Sequence, residues 1–246
     1  MKKKKKKTKK KNNKIRKKIV TLIVLILVAI IGFCGFEIYN GYNTYKEALS
    51  SKNLKERVQE IEENENYTKI EELPKIYINA VIAVEDHRFY EHKGVDIISI
   101  GRAIITDIKT MSLAEGGSTI TQQLAKNTYF TQKKKLNRKV AEIFMAIEIE
   151  KNYSKDEILE FYINTCYFGD GYYSLKEASR GYFNKEPIEM NDYESIMLAG
   201  IPNAPSVYAP TKNLKLAKQR QKQVADAMVK YKYLTKDEAD KILNSQ

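Results

Sequence analysis

Three clusters in this chain carry the residue types from which acid–base and phosphate chemistry is built. The first is Glu85, which closes the apolar run AVIAV in AVIAVEDHRFYEHKG. A carboxylate at the end of a buried helix loses hydration, which raises its pKa and makes it a better proton acceptor near neutral pH. A structural salt bridge with Arg88 fits the same residue equally well. The second is EGGSTITQQLAKN, residues 115–127, where two glycines lead into Ser118, Thr119, Thr121, Gln122, Gln123, Lys126 and Asn127. Backbone N–H groups at a helix start, with hydroxyls and a lysine, suit an anion such as phosphate. A capping box between Thr119 and Gln122 accounts for two of these residues, but not for Gln123, Lys126 and Asn127 together. The third is Arg138-Lys139-Val-Ala-Glu142. Its Arg138 and Glu142 are four apart, the spacing of an ordinary surface ion pair worth a few tenths of a kcal/mol.

Other chemistries find no support. The sequence has no G-x-x-x-x-G-K-[ST], no G-x-G-x-x-G and no D-x-D metal motif. Its two histidines, His87 and His92, lie among Glu85, Asp86 and Glu91, and are read as turn residues before metal ligands. Two cysteines exclude a disulfide framework and a Cys-rich zinc site.

The elements that must position these clusters read as helices. Pro74 suits a first helical turn, and Ile76, Ala80, Ala83 and Val84 recur at helical spacing. Ile78, Val81 and Ile82 make that helix apolar almost all round, which predicts deep burial. A second helix carries the stripe Leu136, Val140, Ile143, Phe144 and Ile147, with Arg138 and Glu142 on the opposite face. Ser154–Glu157 and Thr235–Glu238 are capping boxes that open two more helices. Residues 165–187 are turn-rich and aromatic, and PNAPSVYAP at 202–210 reads as an ordered proline loop. With no alternating strand and helix pattern, the expected class is mainly α.

The 246 residues carry a formal charge of +12, yet 13 of the 43 Lys and Arg fall within residues 1–18 and no acid precedes Glu37. The remainder is close to neutral, which argues against a nucleic-acid-binding domain. Residues 19–36, IVTLIVLILVAIIGFCGF, hold no charge and would span about 27 Å as a helix, near the ~30 Å of a hydrocarbon core. A cleaved signal peptide fits less well, because the run is long and no A-x-A site follows. The expected layout is a cytoplasmic polybasic tail (1–18), a single transmembrane anchor (19–36), a juxtamembrane stalk (37–66) and an extracytoplasmic domain (67–246). The tail faces the cytoplasm and attracts anionic lipid headgroups.

Taken in order, EDHRFYEHKG, GGSTITQQLAKN, RKVAE, EILEFYIN and LAGIPNAPSVYAP resemble the peptidoglycan glycosyltransferases of glycosyltransferase family 51. That domain occurs alone in monofunctional transglycosylases and beside a transpeptidase in class A penicillin-binding proteins. The chain ends at Gln246, which resembles the monofunctional form. The resemblance implies a lysozyme-like, two-lobed helical fold and a bacterial cell-membrane enzyme. Its substrates would be lipid II and the growing glycan strand, its neighbours membrane lipids and other cell-wall synthesis proteins. It also implies that Glu85 is the general base and that Glu142 helps pyrophosphate leave, through a divalent cation (Mg or Mn) or a neighbouring base. No organic cofactor is implied. Lys126, Arg138 and Lys139 would hold phosphate charge, and Ser118, Thr119, Gln122, Gln123 and Asn127 would line the donor site. Residues 94–114 would form the membrane-proximal lobe, with Ile97, Ile98, Ile104, Ile105 and Ile108 as candidates for lipid contact or for ordinary packing. Departures from the family pattern are His87 for Arg, Ile163 for Leu, and Ser174-Leu175 for Gly-Ile. Two rival functions remain, a lysozyme-type glycan hydrolase and a catalytically silent scaffold.

Overall fold

The structure, a computed structural model, describes residues 2–110, 117–130 and 136–245, with side chains from Arg16 onward except at 104, 105, 107–110 and 136. Residues 111–114 of the expected lobe, Glu115 and Gly116, and the side chains of Ile104, Ile105, Ile108 and Leu136 lie outside the described residues. Every regular element among the described residues is a helix, as the periodicity predicts. In chain order they are α1 (Lys2–Ser51), α2 (Leu54–Glu62), α3 (Lys75–Glu85), α4 (Ile97–Thr110), α5 (Ile120–Tyr129) and α6 (Leu136–Asn152). Then follow α7 (Lys155–Ile163), α8 (Leu175–Phe183), α9 (Asp192–Gly200), the single turn α10 (Pro205–Tyr208), α11 (Leu214–Lys230) and α12 (Lys236–Leu243).

Local chemistry explains most of the boundaries. Asn53, Thr119, Ser154, Asn191 and Thr235 each accept the N–H three residues on, and a Glu or Gln at that position reaches back to the cap. Ser174 caps α8 by accepting from Glu177 N–H, and Leu175 behind it is fully buried, so the departure from Gly-Ile yields a well-formed helix start.

Helix α3 lies at the centre, packed against α9 and α11, while α5 packs on α6 and α7. Tyr77, Ala80, Val81, Ile82 and Ala83 of α3 are all buried, in keeping with its nearly all-round apolar character. Phe89, Ile120, Met145, Ile158, Leu175, Ile196 and Met228 complete the interior with no exposed surface.

Two expectations are corrected. Residues 37–66 are not a stalk standing clear of the domain. Helix α1 runs unbroken from the apolar segment and packs along α6, with Tyr42 and Tyr45 against Phe144 at ring separations of 5.3 and 5.9 Å. Helix α2 buries Val58 and Ile61 in the same core. The polar composition of this segment concealed the few apolar side chains that dock it.

The second correction concerns α6. The ion pair that spacing placed at the surface does not lie there: the stripe of Val140, Ile143, Phe144 and Ile147 is half-buried or exposed, and Val140 and Phe144 meet α1. The face turned inward carries Ala141, Glu142, Met145, Ala146 and Ile149. The small alanines let α6 lie close to its neighbours, and Glu142 on that face is buried rather than at the surface.

Close approach of α1 and α6 depends on Gly41. A Cβ there would lie 2.5 Å from Val140 Cβ and 2.9 Å from the Asn137 carbonyl. Upstream, α1 from Arg16 to Ser51 is long and apolar enough to cross a membrane, with Ile19–Phe36 exposed along its sides.

Candidate active site

A cleft of about 560 Å³ opens between the end of α3, the start of α5, the 202–208 loop and α11. Glu85 sits in its wall as the last residue of α3, with its side chain only 8% exposed. Gln123 Nε2 donates to Glu85 Oε2 at 2.8 Å, and Tyr162 Oη donates to Gln123 Oε1 at 3.3 Å. Glu85 Oε1 has no hydrogen bond among the described residues; the Arg220 guanidinium stands 3.7 Å away. Burial raises the Glu85 carboxyl above its ordinary range. The Gln123 hydrogen bond, then the charges of Arg220 and Lys126, offset part of that rise, and Asp86 adds to it. A carboxyl raised in this way holds a proton more readily than an ordinary one.

The alternative partner for Glu85, Arg88, is engaged elsewhere. Its Nε contacts Asp96 at 3.1 Å, and it also reaches Glu91. Asp86, next to the base, accepts from Ile120 N–H at 3.0 Å and meets His92 Nε2 at 2.9 Å. One buried carboxylate thus ties the end of α3 to the start of α5, fixing Glu85 and Gln123 relative to each other.

The polar cluster of α5 divides by role. Ser118, Gln123 and Lys126 line the cleft. Lys126 forms no salt bridge with an acidic side chain among the described residues, and its charge acts on Glu85 within the cleft. Thr119 and Gln122 are buried and spent on the cap, where Thr119 Oγ1 also donates to the Gly94 carbonyl at 2.7 Å. Asn127 lies outside the cleft lining, with its amide 3.9 Å from Cys166 Sγ. The Cys166 thiol, pushed up to about 12 by burial, is inert.

Glu142 is 2% exposed and holds two cations, Arg138 Nε at 3.0 Å and Lys139 Nζ at 2.9 Å. The same ammonium donates to Ser118 Oγ at 2.7 Å, so Ser118 links the Glu142 group to the cleft. The i,i+4 pair read from the sequence is present, but it is not the weak surface pair that spacing alone suggests. Each Glu142 oxygen already faces a cation. No cluster of three His, Cys, Asp or Glu occurs among the described residues searched. These residues do not by themselves fit a resident divalent cation.

Sequence reasoning missed the α11 wall. Arg220, Gln223, Lys230 and Tyr231 line the cleft opposite α5, together with Arg102 from α4. His87 stacks on Tyr231 with ring centroids 4.0 Å apart, and Arg102 approaches His87 Nε2 at 3.2 Å. Burial and then Arg102 lower the His87 pKa, so the ring is neutral at pH 7 and its Nε2 accepts from the guanidinium. Nothing local in α11 marks these residues, because their role arises only when α11 packs on α3.

A chain segment of 177 residues is 46% identical to penicillin-binding protein 1F of Bacillus subtilis (strain 168), covering 72% of this chain and 25% of that protein. Penicillin-binding protein 1A of Neisseria lactamica is 43% identical over 185 residues, covering 75% of this chain and 23% of that protein. This chain therefore spans about a quarter of the length of the curated relatives it matches. The crystal structure of penicillin-binding protein 1A from Haemophilus influenzae aligns over 73% of this chain and 17% of that one, with a TM-score of 0.44 and 22% identity. The family model described as transglycosylase matches residues 51–229, a stretch that contains Glu85, the α5 cluster, Glu142, Arg220 and Gln223, and the chain belongs to the transglycosylase family.

Proposed function

We propose that this chain is a peptidoglycan glycosyltransferase that polymerises lipid II into glycan strands with inversion, in cell-wall biosynthesis. The observation that carries the reading is a buried carboxylate of raised pKa, Glu85, in a cleft whose other ionic lining is mostly cationic: Arg102, Lys126, Arg220 and Lys230. A hydrolase needs the carboxylate but has no use for so many cations, whereas a pyrophosphate leaving group needs both.

In the proposed reaction the acceptor's GlcNAc 4-hydroxyl forms a bond to MurNAc C1 of the donor. Glu85 Oε1 takes the hydroxyl proton as that bond forms. The C1–O bond to the polyprenyl pyrophosphate breaks, and the electron pair leaves with the phosphate oxygen. Charge growing on that oxygen favours prepositioned cations in the transition state over the ground state. Lys126 supplies one from within the cleft. Glu142 acts by holding Arg138 and Lys139, with Lys139 also anchored on Ser118, so their charges need no reorganisation. Residues 19–36 would cross the cell membrane once, with the lysine tail cytoplasmic and the catalytic body outside. The substrate would then share the bilayer with the anchor.

The test is the full chain in detergent with labelled lipid II, scored for polymer on a gel beside Glu85→Gln. Polymer from the native chain and none from a folded Glu85→Gln is expected. A native chain that makes none, or that instead cleaves preformed lipid-free glycan, would sink the reading.

A further inference from the structure

Arg220 is better constrained than a general surface cation. Its Nε donates to the Gly200 carbonyl at 3.2 Å, one terminal nitrogen donates to Gln223 Oε1 at 3.1 Å, and its guanidinium carbon lies 5.8 Å from the Tyr208 ring centroid. The stem crosses α9 where that helix has no side chain: a Cβ on Gly200 would lie 2.9 Å from Arg220 Cγ and 3.1 Å from Val224 Cγ2. Gly200 therefore forms a notch that admits the arginine. The other terminal nitrogen ends 3.7 Å from Glu85 Oε1, with the Arg220 side chain 13% exposed and the Glu85 side chain 8% exposed. At that separation the contact is an ion pair and not a hydrogen bond, so Oε1 keeps its lone pairs for a proton.

We propose that Arg220, seated in the Gly200 notch, is a positioning residue that keeps Glu85 negatively charged and its Oε1 oriented for proton transfer. The assignment rests on the reading of Glu85 as the base. It divides the work within the carboxylate: Gln123 holds Oε2 through a hydrogen bond, and Arg220 supplies charge to Oε1 without occupying it. The other groups that act on Glu85 are Asp86 beside it and Lys126 on α5. Tyr77 of α3, Tyr162 of α7 and Cys166 beyond it also feel its charge, and burial raises all three of these pKa values, leaving them neutral. Among these only Arg220 and Lys126 bring positive charge, and Lys126 is also the cation expected to meet phosphate.

The experiment compares the native full chain with Arg220→Gln, Arg220→Lys and Gly200→Ala. Two readouts are taken: the pH profile of kcat for lipid II polymerisation, and the substrate-free titration of the Glu85 carboxyl by NMR of carbon-labelled glutamate, assigned with Glu85→Gln. Removing an arginine beside a carboxylate is worth roughly 1–3 pH units. Arg220→Gln should move the acidic limb and the Glu85 titration upward together by that amount. Arg220→Lys should restore most of the shift. Gly200→Ala should move both readouts the same way by less, and it serves if Arg220→Gln does not fold.

An Arg220→Gln chain that loses kcat equally at every pH, or raises KM while the Glu85 titration stays in place, overturns the proposal. Arg220 would then be a structural or substrate contact. The titration needs no substrate, so a native chain inactive on lipid II would refute the proposed function and still leave the Arg220–Glu85 coupling measured.

Discussion

Replacing Gly41 with alanine tests whether the part of α1 that follows the apolar run is packed on the rest of the protein. The new Cβ would meet Val140 Cβ at 2.5 Å, Val140 Cγ1 at 2.6 Å and the Asn137 carbonyl oxygen at 2.9 Å, against ordinary contacts of 3.4–4 Å. These atoms belong to a branched carbon and to backbone, so none can swing aside, and α1 must move off α6 by about 1 Å. Overpacking of this kind costs about 1–3 kcal/mol. Removing a glycine from a helix interior returns roughly 0.5–1 kcal/mol. Gly101, inside α4 with open space around it, isolates that second contribution. The stability difference between Gly41→Ala and Gly101→Ala should therefore be about 1–3 kcal/mol. For a body of this size that is roughly 2–12 °C in Tm. Thermal unfolding of the full chain in one detergent, followed by circular dichroism, reads it directly. Equal Tm for the two variants would refute the reasoning, because it would mean that α1 does not rest on α6 through Gly41.

Further outcomes follow from the site and the caps. The raised pKa of Glu85 means that its ionised form costs stability. The penalty is absent below the ordinary value of 4.5 and grows as pH rises from there through the raised value. Glu85→Gln should accordingly melt at or above the native Tm at pH 8 and match it near pH 4; a Tm deficit at pH 8 would contradict this. Gln123→Leu removes a hydrogen bond to a charged group worth about 1.5–3 kcal/mol, which is roughly 1–2 pH units on the acidic limb of polymerisation. A limb that stays in place would separate Gln123 from the base. Ser154→Ala and Thr235→Ala should each cost about 1 kcal/mol in urea unfolding and leave kcat intact. Cys166 should resist maleimide in the folded chain and react once unfolded; rapid native labelling would mean the interior between α5 and α7 is open.

The sequence is most legible where a feature is local. Capping boxes at Thr119, Ser154 and Thr235 involve residues three apart, and each forms as read. Burial of α3 follows from apolar residues on nearly all sides, and a lowered hydration for Glu85 follows from its place at the end of that helix. Reading failed where the partner is distant. Spacing alone gave Arg138 and Glu142 the look of a surface pair, although the face that carries Glu142 is buried and the stripe opposite it serves α1. Thr119 and Gln122, which the family resemblance places at the donor site, form the capping box read from their spacing, and Thr119 Oγ1 also donates to the Gly94 carbonyl. Arg220 gave no signal because its meaning depends on α11 crossing the glycine of α9, two elements brought together only by the fold.

Helix α6 is a shared wall: one face grips the part of α1 around Gly41 and Tyr45, and the face turned away from it carries Glu142. Packed helices lie about 8–10 Å axis to axis, so the cationic group sits close beside the continuation of the long apolar helix. Gly41 follows Phe36, the end of the apolar run, by only about 7.5 Å of helix rise. A lipid-linked substrate would then reach the cleft by lateral diffusion, without leaving its leaflet. Its concentration at the enzyme is counted per unit of membrane area rather than per litre. Diluting the bilayer with inert lipid should slow the enzyme at constant bulk substrate, and the crowding of a two-dimensional sheet would set the pace of the reaction.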